Sequence, residues 1–170
     1  MEWDRRAFRN ALGHFPTGVV IVTAPAEGQE PVAMTVSSFN AVSLDPPLIL
    51  FSIDRGAPSL PVLLGAPSFG ISVLRREQKE LSGRFSHGKG SKWDGIEPQL
   101  GATGCPLIKQ CLAGFECEHF AAHEAGDHII IVGRVLRFEI ASDGEPLVFF
   151  RGAYHDIAAP PAQLAQGEQA

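Results

Sequence analysis

Cysteine is scarce in this chain, with three in 170 residues. Cys105, Cys111 and Cys117 lie six apart, a spacing that matches no zinc pattern. Their odd number suits free thiols rather than a disulfide framework. No metal site is expected. No apolar run approaches the roughly eighteen residues that a membrane helix needs. The opening stretch MEWDRRAFRNALGHF breaks its apolar pattern with charge and has no continuous hydrophobic region or small-residue cleavage site, so a cytoplasmic location is the default expectation. Fourteen Lys and Arg stand against nineteen Asp and Glu, for a net charge of −5, and the basic residues are not clustered. That excludes a nucleic-acid footprint and an anionic membrane surface, and leaves a small substrate or a protein partner. Several catalytic signatures are missing too. No Gly-x-Gly-x-x-Gly follows a strand, which disfavours a Rossmann fold, and no Gly-x-Ser-x-Gly is present. His119 and His123 are four apart but lack the Glu that follows the first His of a zinc-protease helix, and read as a solvated pair.

What is present suits one domain with a real core, spanning 1–157, followed by a Pro-rich, weakly patterned tail over 158–170. Asp4 can cap a helix whose Ala7, Phe8, Ala11, Leu12 and Phe15 recur at helical spacing until Pro16 stops it. Val19 to Thr23 is too short and too β-branched for a helix, and predicts the first strand. Further strands are expected over Pro31–Val36, Asn40–Leu44, Leu48–Phe51, Phe69–Leu74, Gly104–Ile108, Leu112–Ala122, Ile129–Glu139 and Leu147–Phe150. Ser59, followed by an early Pro, predicts a short helix ending near Gly65, and Glu77–Phe85 a second. Ser86–Gly95, with His87, Lys89, Lys92 and Trp93, is a polar glycine-rich loop long enough to be a lid. Ser142–Glu145 reads as a hairpin turn. Many strands with tight turns and few helices predict a mainly β, antiparallel barrel rather than βαβ units.

The chain centres on Glu30–Ser59, read as two apolar strands joined by a hydroxyl-rich turn. Pro46 and Pro47 keep a helix from entering Leu48–Phe51. The strand exits carry Thr35, Ser37, Ser38, Arg55 and Ser59 with free backbone N–H groups, the donors an anion needs. Such turns also commonly satisfy only their own backbone, and the residues alone admit both readings. Among the histidines, His128 is the best placed. It follows Gly126 and Asp127, whose carboxylate can orient an imidazole, and precedes a long apolar strand that holds it.

Taken together, Phe8-Arg9-Asn10-Ala11-Leu12-Gly13, Phe15, Thr17-Gly18-Val19, Met34 to Phe39, Ser43 to Leu48, Gly126-Asp127-His128, Val132 to Val135, Pro146-Leu147 and Gly152-x-Tyr154 resemble the flavin reductase family. These are the small reductases of two-component flavin monooxygenases. The likeness runs from about Asp4 to Tyr154. It implies an FMN-binding split β-barrel, a homodimer, that binds FMN or FAD and reduces it with NADH or NADPH. Flavin contacts carry over to Met34, Thr35, Val36, Ser37 and Ser38, to Asp54, Arg55, Gly56, Ala57 and Ser59, and to Phe85, Ser86 and Lys92. Nicotinamide contacts carry over to His128 and Tyr154. Hydride passes directly between stacked rings, so the protein's task is to hold them about 3 to 3.5 Å apart rather than to supply an acid or base. His128 is then expected to position the nicotinamide. The implied role is an NAD(P)H:flavin oxidoreductase whose reduced flavin diffuses to a partner oxygenase. The alternatives are a flavin-binding carrier or sensor without reductase activity, and a split-barrel oxidase of another substrate.

Overall fold

Val20–Ala24 is buried at every position, because alternate residues of this strand enter two different cores. Val20, Val22 and Ala24 join a cluster built on Phe51, Phe69, Ile71 and Ile131, whereas Ile21 joins a second with Leu74, Phe85, Trp93 and Leu147. The period-two geometry of a strand thus lets one segment tie two packing layers together. The computed structural model describes residues 3–87 and 91–157. The expected tail and part of the expected lid lie outside the described residues.

In chain order the elements are α1 (Arg5–Leu12), β1 (Thr17–Gly18), β2 (Val20–Ala24), β3 (Val32–Val36), β4 (Asn40–Leu44), β5 (Pro47–Asp54), α2 (Leu60–Gly65), β6 (Ser68–Val73), a 3₁₀ turn (Arg76–Gln78) and α3 (Lys79–His87). These are followed by β7 (Gln99–Leu100), β8 (Pro106–Leu107), β9 (Ala113–Ala125), β10 (His128–Ile140), β11 (Val148–Phe150) and β12 (Ala153–His155). The fold is mainly β with few helices, as its patterning requires. Seven antiparallel strands run in the order β3-β2-β6-β9-β10-β5-β4, and β1, β11 and β12 form a separate three-stranded sheet. No helix among the described residues is long and apolar enough to cross a membrane.

β3 and β5, expected as two apolar strands joined by a hydroxyl-rich turn with a short strand between them, lie toward opposite ends of the large sheet. The two ends return to one core, where Val36 of β3 packs with Ile49 and Phe51 of β5. They are not joined by a ladder. Instead Ser38, just beyond β3, hydrogen-bonds to β5, its Oγ donating to Ser52 O at 3.0 Å and accepting from Ser52 N at 2.9 Å. The sheet is therefore antiparallel and mainly β as expected, but it is not closed into a barrel by a ladder between its ends.

Gly133 explains how the most apolar strand packs so closely. A Cβ there would strike the Phe69 ring and lie 3.2 Å from Cys117 Cβ. The Ser142–Glu145 turn does not form a hairpin between β10 and β11. Pro146 bridges Arg75, and Leu147 N donates to Leu74 O, so the chain crosses to the smaller sheet. Proline has no N–H with which to continue the β10 ladder.

Asp4 caps α1 as expected, accepting from Arg6 N at 2.9 Å and Ala7 N at 3.0 Å. Its apolar stripe is not on the core, however: Phe8, Leu12 and Phe15 are 52%, 59% and 75% exposed. Ser59 makes no side-chain cap for α2 and points its hydroxyl to Met34 Sδ at 3.5 Å.

Candidate functional site

The end of β3, the middle of α3 and the β11–β12 hairpin meet around one buried hydroxyl, that of Ser82. Thr35 Oγ1 donates to Ser82 O at 2.7 Å, and Ser86 Oγ donates to the same carbonyl at 2.9 Å from one helical turn away. Ser82 Oγ and Tyr154 OH lie 2.7 Å apart. Tyr154 packs edge-on against Phe149, their ring centroids 5.5 Å apart, with Lys79 Nζ 5.6 Å from the tyrosine ring centroid. These contacts shape a cavity of about 120 Å³ lined by Val19, Thr35, Val36, Ser37, Ser86, Phe149 and Tyr154. Five residues expected from the resemblance therefore face a single hollow.

A larger cavity of about 720 Å³ shares Ser37 and Phe149 with the first. It lies between the C-terminal end of α1 and the β11–β12 turn, and is lined also by Arg9, Asn10, His14, Phe15, Thr17 and Arg151. Arg151 N donates to Gly13 O at 2.8 Å, locking the turn onto the helix end. Arg151 and Gly152 have φ of +51° and +78°, the conformation of a two-residue type I′ turn. For an arginine the left-handed conformation costs about 1 kcal/mol. The Thr17 hydroxyl is buried and has no partner among the described residues.

Elsewhere, Phe85 is buried against Trp93 with ring centroids 5.0 Å apart, and Trp93 Nε1 donates to Pro31 O at 2.6 Å. Lys92 Nζ donates to Phe85 O at 3.1 Å, placing a cation at the end of α3, where the helix dipole favours one. Phe85 thus supports the hollow from behind.

The turn Asp54–Ser59 and the β9–β10 turn form a second group. Asp54 Oδ1 accepts from Gly56 N at 2.6 Å, and Ala57 N donates to Asp54 O at 3.0 Å, so Asp54 shapes its own turn. Arg55 N donates to Asp127 O at 3.0 Å, and its guanidinium pairs with Glu124 at 3.2 Å. His128 stands opposite Asp54 in the ladder, and its Nδ1 lies 2.7 Å from Asp127 Oδ1, as the Gly-Asp-His reading expects. The His128 hydrogen bond holds the Asp127 carboxyl below its ordinary value.

The contact between Ser59 and Met34 ties this group to β3, but no described cavity holds Ser37, Ser59 and His128 together. Ser38 joins β3 to β5 with both its donor and an acceptor site, so its hydroxyl is largely committed to the fold. Sequence reading missed Ser82, Thr17, Phe149, Arg9, His14 and Arg151. Only the Arg151-Gly152 pair carried a local signal, a short polar break between two strands. Ser82 sits inside a helix, where nothing local marks a serine as a hub.

The hollow has the lining of a small-ligand site. Its walls are apolar and aromatic, its few polar groups are hydroxyls in fixed positions, and Thr17, whose hydroxyl has no partner among the described residues, lines the adjoining cavity. The flavin reductase like domain model matches residues 12–158. The FMN reductase (NADH) of Agrobacterium fabrum is 48% identical over 151 residues, 89% of this chain and 85% of that protein. The reductase component of the 4-hydroxyphenylacetate 3-monooxygenase of Thermus thermophilus is 36% identical over 156 residues, 92% of this chain and 99% of that protein. Among solved structures, the NADH:FAD oxidoreductase of Streptomyces globisporus C-1027, in complex with NAD and FAD fragments, has a TM-score of 0.87 at 35% identity, with 94% of this chain and 95% of that chain covered. With a family model over nearly the whole domain and relatives that share its length, this chain belongs to the flavin reductase like domain family.

Proposed function

We propose that this chain is an NAD(P)H:flavin oxidoreductase that passes a hydride from a reduced nicotinamide to FMN or FAD and releases the reduced flavin to a partner monooxygenase. The observation that carries this reading is the aromatic, hydroxyl-lined hollow of Thr35, Ser37, Ser86 and Tyr154, continuous with a cavity large enough for a nucleotide. Relatives that act as an NADH-dependent FMN reductase and as a monooxygenase reductase component support it.

Flavin and nicotinamide together supply the hydride chemistry when bound. The chain's own residues bind and orient. Thr35, Ser37 and Ser86 offer hydroxyls, Phe149 and Tyr154 offer flat apolar walls, and Ser82 keeps Tyr154 in place. The N–H groups of Arg55, Gly56 and Ala57, expected to be free, already donate within the protein, so Ser59 at the start of α2 is assigned to the flavin's phosphate side, with Met34 between it and β3. His128, braced by an ionised Asp127, is assigned to the nicotinamide. Hydride transfer needs neither general acid nor general base from the protein.

The active form is assigned as a homodimer. β10 runs past the start of β5, and its overhang exposes Leu136, Phe138 and Ile140, while neighbouring Leu44 is 96% exposed. Apolar surface of this extent, with the bare stripe of α1, calls for a second copy. Free thiols suit a cytoplasmic setting.

The test is NADH oxidation followed at 340 nm with purified protein and added FMN. A reductase consumes NADH in proportion to enzyme. A flavin carrier or sensor binds FMN and leaves NADH untouched, and that result sinks the proposal.

A further inference from the structure

The 720 Å³ cavity holds a set of basic side chains that the proposed reaction does not use. Arg9 comes from the last turn of α1, His14 from just beyond it, and Arg151 from the hairpin turn. No lining residue among those described carries a carboxylate. In a chain whose net charge is −5, two guanidiniums facing one hollow without an acid between them are conspicuous.

One ordinary explanation is the dipole of α1, whose C-terminal end attracts cations. That end carries roughly half a negative charge, less than either arginine alone supplies. Arg151 is also fixed with care. Its guanidinium carbon lies 5.4 Å from the Phe150 ring centroid, and its Nε and Nη2 lie 3.3 and 3.4 Å from the two ring nitrogens of His14. It occupies a left-handed turn position that asparagine or glycine would fill with less strain. Thr17, whose hydroxyl has no partner among the described residues, lines the same cavity, and Ser37 and Phe149 join it to the hollow assigned to the rings.

We infer that this cavity is the seat of a phosphate group of the nicotinamide dinucleotide, gripped by Arg9 and Arg151 with Thr17 as a neutral donor. The inference rests on the reductase reading and adds the residues that hold the phosphate-bearing arm. Guanidiniums match phosphate oxygens in a planar two-bond fork, and the partly enclosed position makes such contacts stronger than in open water. A ligand whose ring lies against Tyr154 reaches this cation pair without leaving the protein surface.

Arg151→Asn tests it cleanly, because Asn-Gly is a favoured type I′ turn, so the hairpin is kept while the charge is lost. With full-length protein and saturating FMN, Arg151→Asn and Arg9→Ala are each expected to raise the KM for NADH about tenfold, with the KM for FMN within about twofold of wild type. Added KCl raises the wild-type KM for NADH, and the double variant flattens that dependence, which a merely structural role would not do. An equal loss with NADPH assigns the pyrophosphate common to both nucleotides, and a larger loss with NADPH assigns its 2′-phosphate. Calorimetric titration with ADP-ribose, which has the pyrophosphate but no reducible ring, reads the same contact without turnover. Weaker ADP-ribose binding in Arg151→Asn supports the inference even if wild type fails to oxidise NADH, an outcome that overturns only the reductase reading. Unchanged affinity for both ADP-ribose and its 2′-phosphorylated form, or a raised KM for FMN alone, overturns the phosphate seat.

Discussion

Tyr154 touches the hollow with its ring and Ser82 with its hydroxyl, and the two contacts separate under mutation. Tyr154→Phe keeps the wall but strands the buried Ser82 hydroxyl, at about 1 to 3 kcal/mol of stability. The expected result is a lower urea midpoint and a several-fold higher KM for NADH with kcat little changed. His128→Ala belongs with it: the KM for NADH should rise about tenfold while FMN affinity, read by fluorescence quenching, stays put. An equal loss of flavin binding would remove the nicotinamide role from His128.

Glu116 is a carboxylate of a different kind, nearly buried under the turn before β8. Burial acts to raise its pKa, but the Thr103 N–H and hydroxyl, each 2.7 Å away, and the Ala102 backbone outweigh that, with Arg137 adding attraction. Its pKa in the folded protein is therefore below the ordinary 4.5. A lowered folded pKa contributes stability that is present above the unfolded value and is lost as pH falls through the folded one. Urea midpoints should drop below about pH 4.5 in wild type, and Glu116→Gln should show a flatter dependence there. Parallel curves would clear Glu116 of this role. The thiols are quiet by the same physics of burial. Desolvation pushes Cys111 up to about 11 and Cys117 up to about 12, so neither should react readily with a disulfide reagent at pH 8 until the protein unfolds.

At the scale of elements, the large sheet depends on one glycine and one serine. Gly133 lets β10 lie against the Phe69 ring, so Gly133→Ala should destabilise by about 1 to 3 kcal/mol through overpacking, despite alanine's smaller conformational entropy loss. Ser38 replaces a missing ladder between β3 and β5 with two hydrogen bonds. Removing them with alanine should cost about 1 kcal/mol and loosen the β3 exit that carries Ser37. Chemical denaturation of both variants measures this, and an unchanged midpoint for Gly133→Ala would mean that the Phe69 ring yields without cost.

At the scale of the whole molecule, the exposed apolar groups of β4, β10 and α1 allow the proposed homodimer to be tested. Light scattering on wild type should give twice the chain mass, and Leu44→Glu with Ile140→Glu, which alter exposed side chains on one end of the sheet, should give a folded chain of single mass. Dimers that persist in that double variant would move the interface to the α1 face.

The helices, most strands and the family likeness followed from local pattern. Asp4 before a 3.6-residue apolar repeat, β-branched runs at β2 and β10, and the Gly-Asp-His turn each act through neighbours in the chain, so periodicity and turn chemistry determine them. The pairing of β3 with β2 rather than β5, the crossing at Pro146 and the meeting of Ser82 with Tyr154 were decided by contacts between distant segments. Those contacts depend on which faces find partners in the core. That is also why Arg9 and Arg151, 142 positions apart in the chain, look like unrelated surface charges until the hairpin turn docks on the end of α1.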